Sequence, residues 1–132
     1  MPFIDSKVTV KISSQQREEI KTELGKLITT LNKSETYLMV GIEDSCDLWL
    51  GGKKLDKGAY VAVSLYGDAP KELYDKLTGR ICALLNDKLG ILGNAVYVTY
   101  HPVSENLFLT FSVFIHTYSL ILLFDKCNFS IE

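Results

Sequence analysis

The residue best placed to do chemistry in this chain is Pro2, directly behind Met1 in "MPFIDSKVTV". An initiator methionine ahead of a small residue such as proline is usually removed. The mature chain is then expected to begin with a secondary amine held in a rigid ring. In water such an amine is mostly protonated. Desolvation in an apolar pocket, or a nearby cation, favours the neutral form and makes it a base near neutral pH. Phe3 and Ile4 supply apolar neighbours, and Lys33 is the candidate cation. The bland alternative is that Pro2 only opens a strand, where its missing N–H is tolerated. Lys33 has a bland reading too, as a solvated lysine favoured by the dipole at a helix end. Tyr97 alternates with Val96 and Val98 and leaves its strand on the opposite face, as a surface or interface tyrosine or as a hydrogen-bonding phenol. His101 and His116, the only histidines, stand at no metal-ligand spacing and are expected to be structural or exposed.

The elements that must position these groups are legible from periodicity. Ile4, Val8, Val10 and Ile12 share one parity and Asp5, Lys7, Thr9 and Lys11 the other, so residues 2–12 read as a half-buried strand. In "SSQQREEIKTELGKLITTLNK", Ser13 and Gln16 fit a capping box. Ile20, Leu24, Leu27, Ile28 and Leu31 make a helical stripe over 14–32. Gly25 weakens that helix by about 1 kcal/mol relative to alanine and allows close packing. "YLMVGIE" predicts a strand at 37–43, Gly51-Gly52 a turn with Trp49 packed in the connector, and "GAYVAVSLYG" a buried strand at 59–66. Pro70 suits the first turn of a second helix with the stripe Leu73, Leu77, Ile81, Leu84 and Leu85. "AVYVTYH" closes as a strand at 95–101.

The order is βαβ, a connector, and βαβ again. "LITTLNK" and "ICALLNDK" echo each other at an offset of about 54–58 residues, which points to an internal duplication. Right-handed crossovers then put both helices on one face of a four-stranded sheet, an α/β two-layer sandwich. The other face is left bare, and apolar strands there favour burial against further copies.

Composition sets the outer bounds. A chain of 132 residues is about one domain, and 47% hydrophobic residues suffice for a core. A net charge of −2 and a pI near 5.7 offer no basic stripe for nucleic acid. Cys46, Cys82 and Cys127 are odd in number and far apart, as expected of reduced thiols in a cytoplasmic setting. No apolar h-region precedes the first strand, so no signal peptide is expected.

Taken together, Met1-Pro2 leading into a strand, Lys33 in "NKSETYLMV", "LGG" at 50–52 and "VYVTY" at 96–100 resemble the macrophage migration inhibitory factor family of the tautomerase superfamily. The resemblance covers roughly residues 1–105. It implies a homotrimer in which three four-stranded sheets surround a channel, with active sites between subunits. It further implies a keto–enol tautomerase of the phenylpyruvate type, with Pro2 as acid/base and Lys33 holding the carboxylate of an aryl 2-keto acid. Tyr97 from a neighbouring subunit and the main chain at Tyr66 would touch the substrate. Phe3 and Tyr37 would form apolar walls, or be ordinary core and interface residues. Tyr66 stands where the family has an aliphatic residue, which would narrow the pocket or add a donor. No cofactor or metal is expected, because acid/base work alone reaches an enol. The alternative is a cytokine-like protein that binds a cell-surface receptor with little or no catalysis and leaves the cell without a signal peptide. The family's Cys-x-x-Cys is absent, so a thiol-redox activity is not carried over.

Residues 106–132 depart from the family, whose Trp-Gly-Trp-Asn-Gly-Ser-type ending is missing. Residues 107–124 carry no charged side chain. Three accounts stand side by side. One is a membrane anchor, though the segment falls short of the ~20 residues of a spanning helix and is diluted by Thr110, Ser112, His116, Thr117 and Ser119. The favoured one is an added strand reaching a neighbour, with Leu107, Leu109, Phe111, Val113 and Ile115 on one face. The last is a substitute C-terminus from a reading-frame change or an unspliced intron.

Overall fold

The computed structural model describes residues 2–103. The hydrophobic tail at 106–132 lies outside these residues, as do His116 and Cys127. The elements run β1 (Phe3–Val8), α1 (Ser14–Leu27), β2 (Met39–Glu43), β3 (Trp49–Leu50), β4 (Lys53–Lys54), β5 (Ala59–Tyr66), α2 (Lys71–Leu89) and β6 (Val96–Val103). The main sheet has the order β2-β1-β5-β6. β1 pairs with β2 and β5 with β6 in parallel, while β1 and β5 are antiparallel. The duplicated βαβ plan is therefore present, with the two halves joined back to back along β1 and β5.

Alternation decides which side of each strand is covered. Ile4, Ser6 and Val8 of β1 and Ala59, Val61, Val63 and Leu65 of β5 are buried. They meet Ile20 and Leu24 of α1, Ile28 and Leu31 just beyond it, and Leu77, Ile81, Leu85 and Leu89 of α2 in a single cluster. Both helices thus lie on one face. Ile81 is fully buried. Ile81→Ala should destabilise the fold by about 2–5 kcal/mol, measured as a lowered urea midpoint at unchanged slope.

Several boundaries differ from the sequence reading. The first strand ends at Val8 instead of position 12. Val10 and Ile12 then bond the β2–β3 connector, with the Ser45 N–H donating to the Val10 carbonyl at 3.2 Å and the Ile12 N–H to Asp44 Oδ2 at 3.0 Å. The helix expected over 14–32 ends at Leu27 and tightens into a 3-10 turn at Ile28–Leu31, closed by Asn32 in the left-handed region. A second 3-10 turn, Glu35–Tyr37, takes the start of the strand expected at 37. Pro70 is the N-cap of α2, one place ahead of the helix. β5 is half-buried rather than covered on both faces, with Tyr60, Ala62, Ser64 and Tyr66 on the open side. Trp49 is 61% exposed, although the connector around it forms a β3–β4 hairpin over Gly51-Gly52. Gly25 does permit a close approach: a Cβ there would lie 2.5 Å from the carboxylate end of Glu35. The Ser13–Gln16 capping box is formed as expected.

Asp44 fastens the loop after β2 to the start of α1. Its carboxylate accepts from the Ile12 N–H and lies 3.4 Å from Arg17 Nη2, while Arg17 Nη1 donates to the Ile42 carbonyl at 2.7 Å. The Ile12 N–H, then the Arg17 charge, hold the Asp44 carboxyl below its usual 3.8 against the opposing effect of desolvation. A depressed folded-state pKa contributes stability that is full above the unfolded value and lost as pH falls through the folded one. The wild type should therefore lose more urea stability than Asp44→Asn between pH 6 and pH 3.

Candidate active site at the end of the sheet

The antiparallel pairing of β1 with β5 sets the site. Phe3 faces Ser64, so the chain start and the end of β5 arrive at the same end of the sheet. Pro2 is buried there, and its carbonyl accepts from the Met39 N–H at 3.0 Å. This bond ties the chain start to β2 before the first ladder pair, Phe3–Met39. Phe3 is half-buried on the open face, where its ring and the Asp5 carboxylate lie over Gly41.

Lys33 reaches the same corner from the other side. Asn32 adopts φ 59° and ψ 31°, which turns the chain sharply after the 3-10 turn. Ser34 then caps the next turn by accepting from the Thr36 N–H. Between these bends, the half-buried Lys33 extends so that Nζ donates to the Tyr66 carbonyl at 2.8 Å. Tyr66 is the last residue of β5, and Gly67 follows at φ 78°, a backbone region that favours glycine. The Gly67 N–H is engaged by the Val103 carbonyl at 2.9 Å. The loop beyond is stapled by Asp68, which accepts from the Tyr74 hydroxyl at 2.5 Å and the Ala69 N–H at 2.7 Å. Burial, then the Asp68 contact, push the Tyr74 phenol up to about 12. The Tyr74 and Tyr100 rings stack at 4.5 Å, and Tyr100 donates to the Tyr74 carbonyl.

Pro2, Phe3, Lys33 and Tyr66 thus meet at one end of the sheet. Tyr37 stands just ahead of β2 at that end and is 67% exposed, so no wall closes over it within the described chain. Tyr97 is not brought there. It is the second residue of β6, beside Tyr60, which faces Lys7 at the far end of β1, and it is 60% exposed. Beside it lies an apolar cavity of about 110 Å³ bounded by Trp49, Leu50, Tyr60 and Tyr97. His101 is exposed and bonds Thr99 at 3.0 Å. Among the described residues no cluster of His, Cys, Asp and Glu is arranged to hold a metal. Asp68, Tyr74 and Tyr100, which shape the loop after Tyr66, carried no sequence signal beyond the aromatic character of two of them.

No protein-family model and no curated protein sequence matches the chain. Solved structures do. MIF2 of Leishmania major is 27% identical over 78% of this chain and 89% of its own, with a TM-score of 0.72. The chain has the fold of the macrophage migration inhibitory factor family. The migration inhibitory factor of Toxoplasma gondii superposes with a TM-score of 0.76 at 21% identity, covering 82% of this chain and 95% of that one. A third structure, Pt0534 inactivated by 2-oxo-3-pentynoate, has a TM-score of 0.73 at 11% identity, over 82% and 90% of the two chains. The macrophage migration inhibitory factor fold thus extends over the described domain, and its doubled βαβ sheet matches the architecture read from the sequence.

Proposed function

We propose that the chain is a keto–enol tautomerase acting on an aryl 2-keto acid of the phenylpyruvate type, with the Pro2 amine as acid/base after removal of Met1. The observation that carries this reading is the meeting of buried Pro2 with the Lys33–Tyr66 contact at one sheet end. An ammonium has three N–H donors. One of those on Lys33 goes to Tyr66, leaving two for a substrate carboxylate among the described residues. Burial of Pro2 favours an uncharged ring nitrogen, and the neighbouring cation acts in the same direction. The base takes the proton from the carbon beside the carbonyl and returns one to the oxygen, so no electron leaves the substrate. Likeness to a protein inactivated by 2-oxo-3-pentynoate, itself a 2-keto acid, supports the substrate class.

The reading includes a homotrimer. Tyr97 and Pro2 lie at opposite ends of one sheet, so a Tyr97 that serves the pocket must come from another copy. Sedimentation should give three chains of 14.8 kDa; a monomer would remove Tyr97 from the mechanism. The free Cys46 and Cys82 thiols fit a reducing, cytoplasmic setting. The deciding assay follows decay of the phenylpyruvate enol by absorbance. Wild type should exceed Pro2→Gly. Equal rates would dismiss Pro2, and no activity in either would leave receptor binding as the function.

A further inference from the structure

The turn that delivers Lys33 is held from the second half of the molecule. Arg80, on α2, donates from Nη1 to the Thr30 hydroxyl at 2.7 Å across a separation of 50 residues. Thr30 is only 9% exposed, an unusual place for a polar side chain, and it lies within the 3-10 turn three positions before Lys33. The guanidinium shares its cleft with Glu23 and Asp87, yet among the described residues it makes no ion pair. Its nearest hydrogen-bonding partner is the buried hydroxyl. The same turn is tightened from within, as the Asn32 N–H donates to the Thr29 carbonyl at 2.9 Å and the Thr29 hydroxyl to the Lys26 carbonyl at 2.7 Å. Beyond the turn, Lys33 meets Tyr66, whose strand leads into α2. The segment from 28 to 33 is therefore held at two points from the β5–α2 half of the chain, at Thr30 by Arg80 and at Lys33 by Tyr66.

We propose that Arg80 is a positioning residue: through its bond to Thr30 it fixes the turn that presents the Lys33 ammonium to a substrate carboxylate. This rests on the reading of Lys33 as the carboxylate anchor. Lysine is a flexible point charge on a long stem. Its reach is defined only if the backbone beneath it is fixed, and small displacements of a positioned group are expensive in rate and affinity. A charged donor bonded to a buried hydroxyl is a strong way to fix it.

The test uses 3-phenylpropanoate, an aryl carboxylate that cannot enolise to product, and 3-phenylpropanamide, its uncharged counterpart. Affinities are measured by calorimetry on the full chain and on Arg80→Leu, Thr30→Val, Lys33→Gln and the Thr30→Val/Lys33→Gln pair. Thr30→Val keeps the shape of the buried side chain and removes only the acceptor, so it serves if Arg80→Leu does not fold. Both should weaken 3-phenylpropanoate by about three- to tenfold and leave the amide unchanged, and Arg80→Lys should recover part of the loss. In the Lys33→Gln background the Thr30→Val effect should vanish. A folded Thr30→Val with wild-type affinity overturns the inference while leaving the anchor reading intact. So does an undiminished effect in the Lys33→Gln background, which would mark the contact as merely structural. If the wild type binds no 3-phenylpropanoate, or Lys33→Gln binds it equally well, the anchor reading falls and this inference with it.

Discussion

Capping the Pro2 nitrogen should lower kcat/KM for phenylpyruvate enolisation by about 10²–10⁴-fold, the range general acid–base catalysis usually contributes. The physical reason is stark. Once Met1 is removed, the nitrogen is an amine with a lone pair. With any residue or acetyl group attached it becomes an amide, whose lone pair is delocalised into the carbonyl and which has no basicity near neutral pH. A retained one-residue extension makes this change while keeping the proline ring and leaving Lys33 unmodified. The rest of β1 should be little disturbed, because the Pro2 carbonyl bond to the Met39 N–H and the Phe3–Ser64 pairing do not involve the nitrogen. Mass spectrometry of the same sample verifies the state of the terminus. An uncapped chain with full activity and a capped chain with full activity cannot both exist if Pro2 is the base.

The second large effect is expected at Lys33. Lys33→Gln keeps an N–H for the Tyr66 carbonyl, which Lys33 now serves at 2.8 Å, and removes the charge. Hydrogen bonds to charged groups contribute about 1.5–3 kcal/mol, so kcat/KM for a 2-keto acid should fall by about 10- to 100-fold, chiefly through KM. A phenyl ketone that enolises but lacks the carboxylate should be turned over equally by both forms. If the two substrates lose activity alike, Lys33 acts on the reacting centre or on the fold and does not hold the anion.

Periodicity made the architecture legible. The parity of Ile4 and Val8 and the stripe through Leu77, Ile81 and Leu85 reflect burial against one core, so they survive in the sequence as patterns. Where the pattern misled, a second interaction competed with it. Ile12 keeps the parity of β1 and is buried, yet its N–H serves Asp44 instead of a strand. Ile28 and Leu31 complete the α1 stripe but sit in a tighter turn, because the chain must bend at Asn32 to bring Lys33 back over the sheet. Within the site, Pro2 and Lys33 stood out by type and by family resemblance, and the structure puts both at one end of the sheet. Arg80 and Thr30 carried no signal. Each looks like an ordinary residue of an amphipathic element, and their bond exists only because two segments 50 residues apart pack together. Trp49 shows the converse failure, since its large apolar side chain predicts packing and stands in the open.

The antiparallel arrangement of the sheet, with Pro2 at one end of its strands and Tyr97 at the other, has a kinetic consequence for the proposed mechanism. On the proposed mechanism, a lone copy would own the base of one reaction centre and the phenol of a different one, and would complete neither. Turnover per chain should then decline on dilution below the assembly threshold, and doping with a catalytically dead but assembly-competent copy should silence centres built partly from healthy chains.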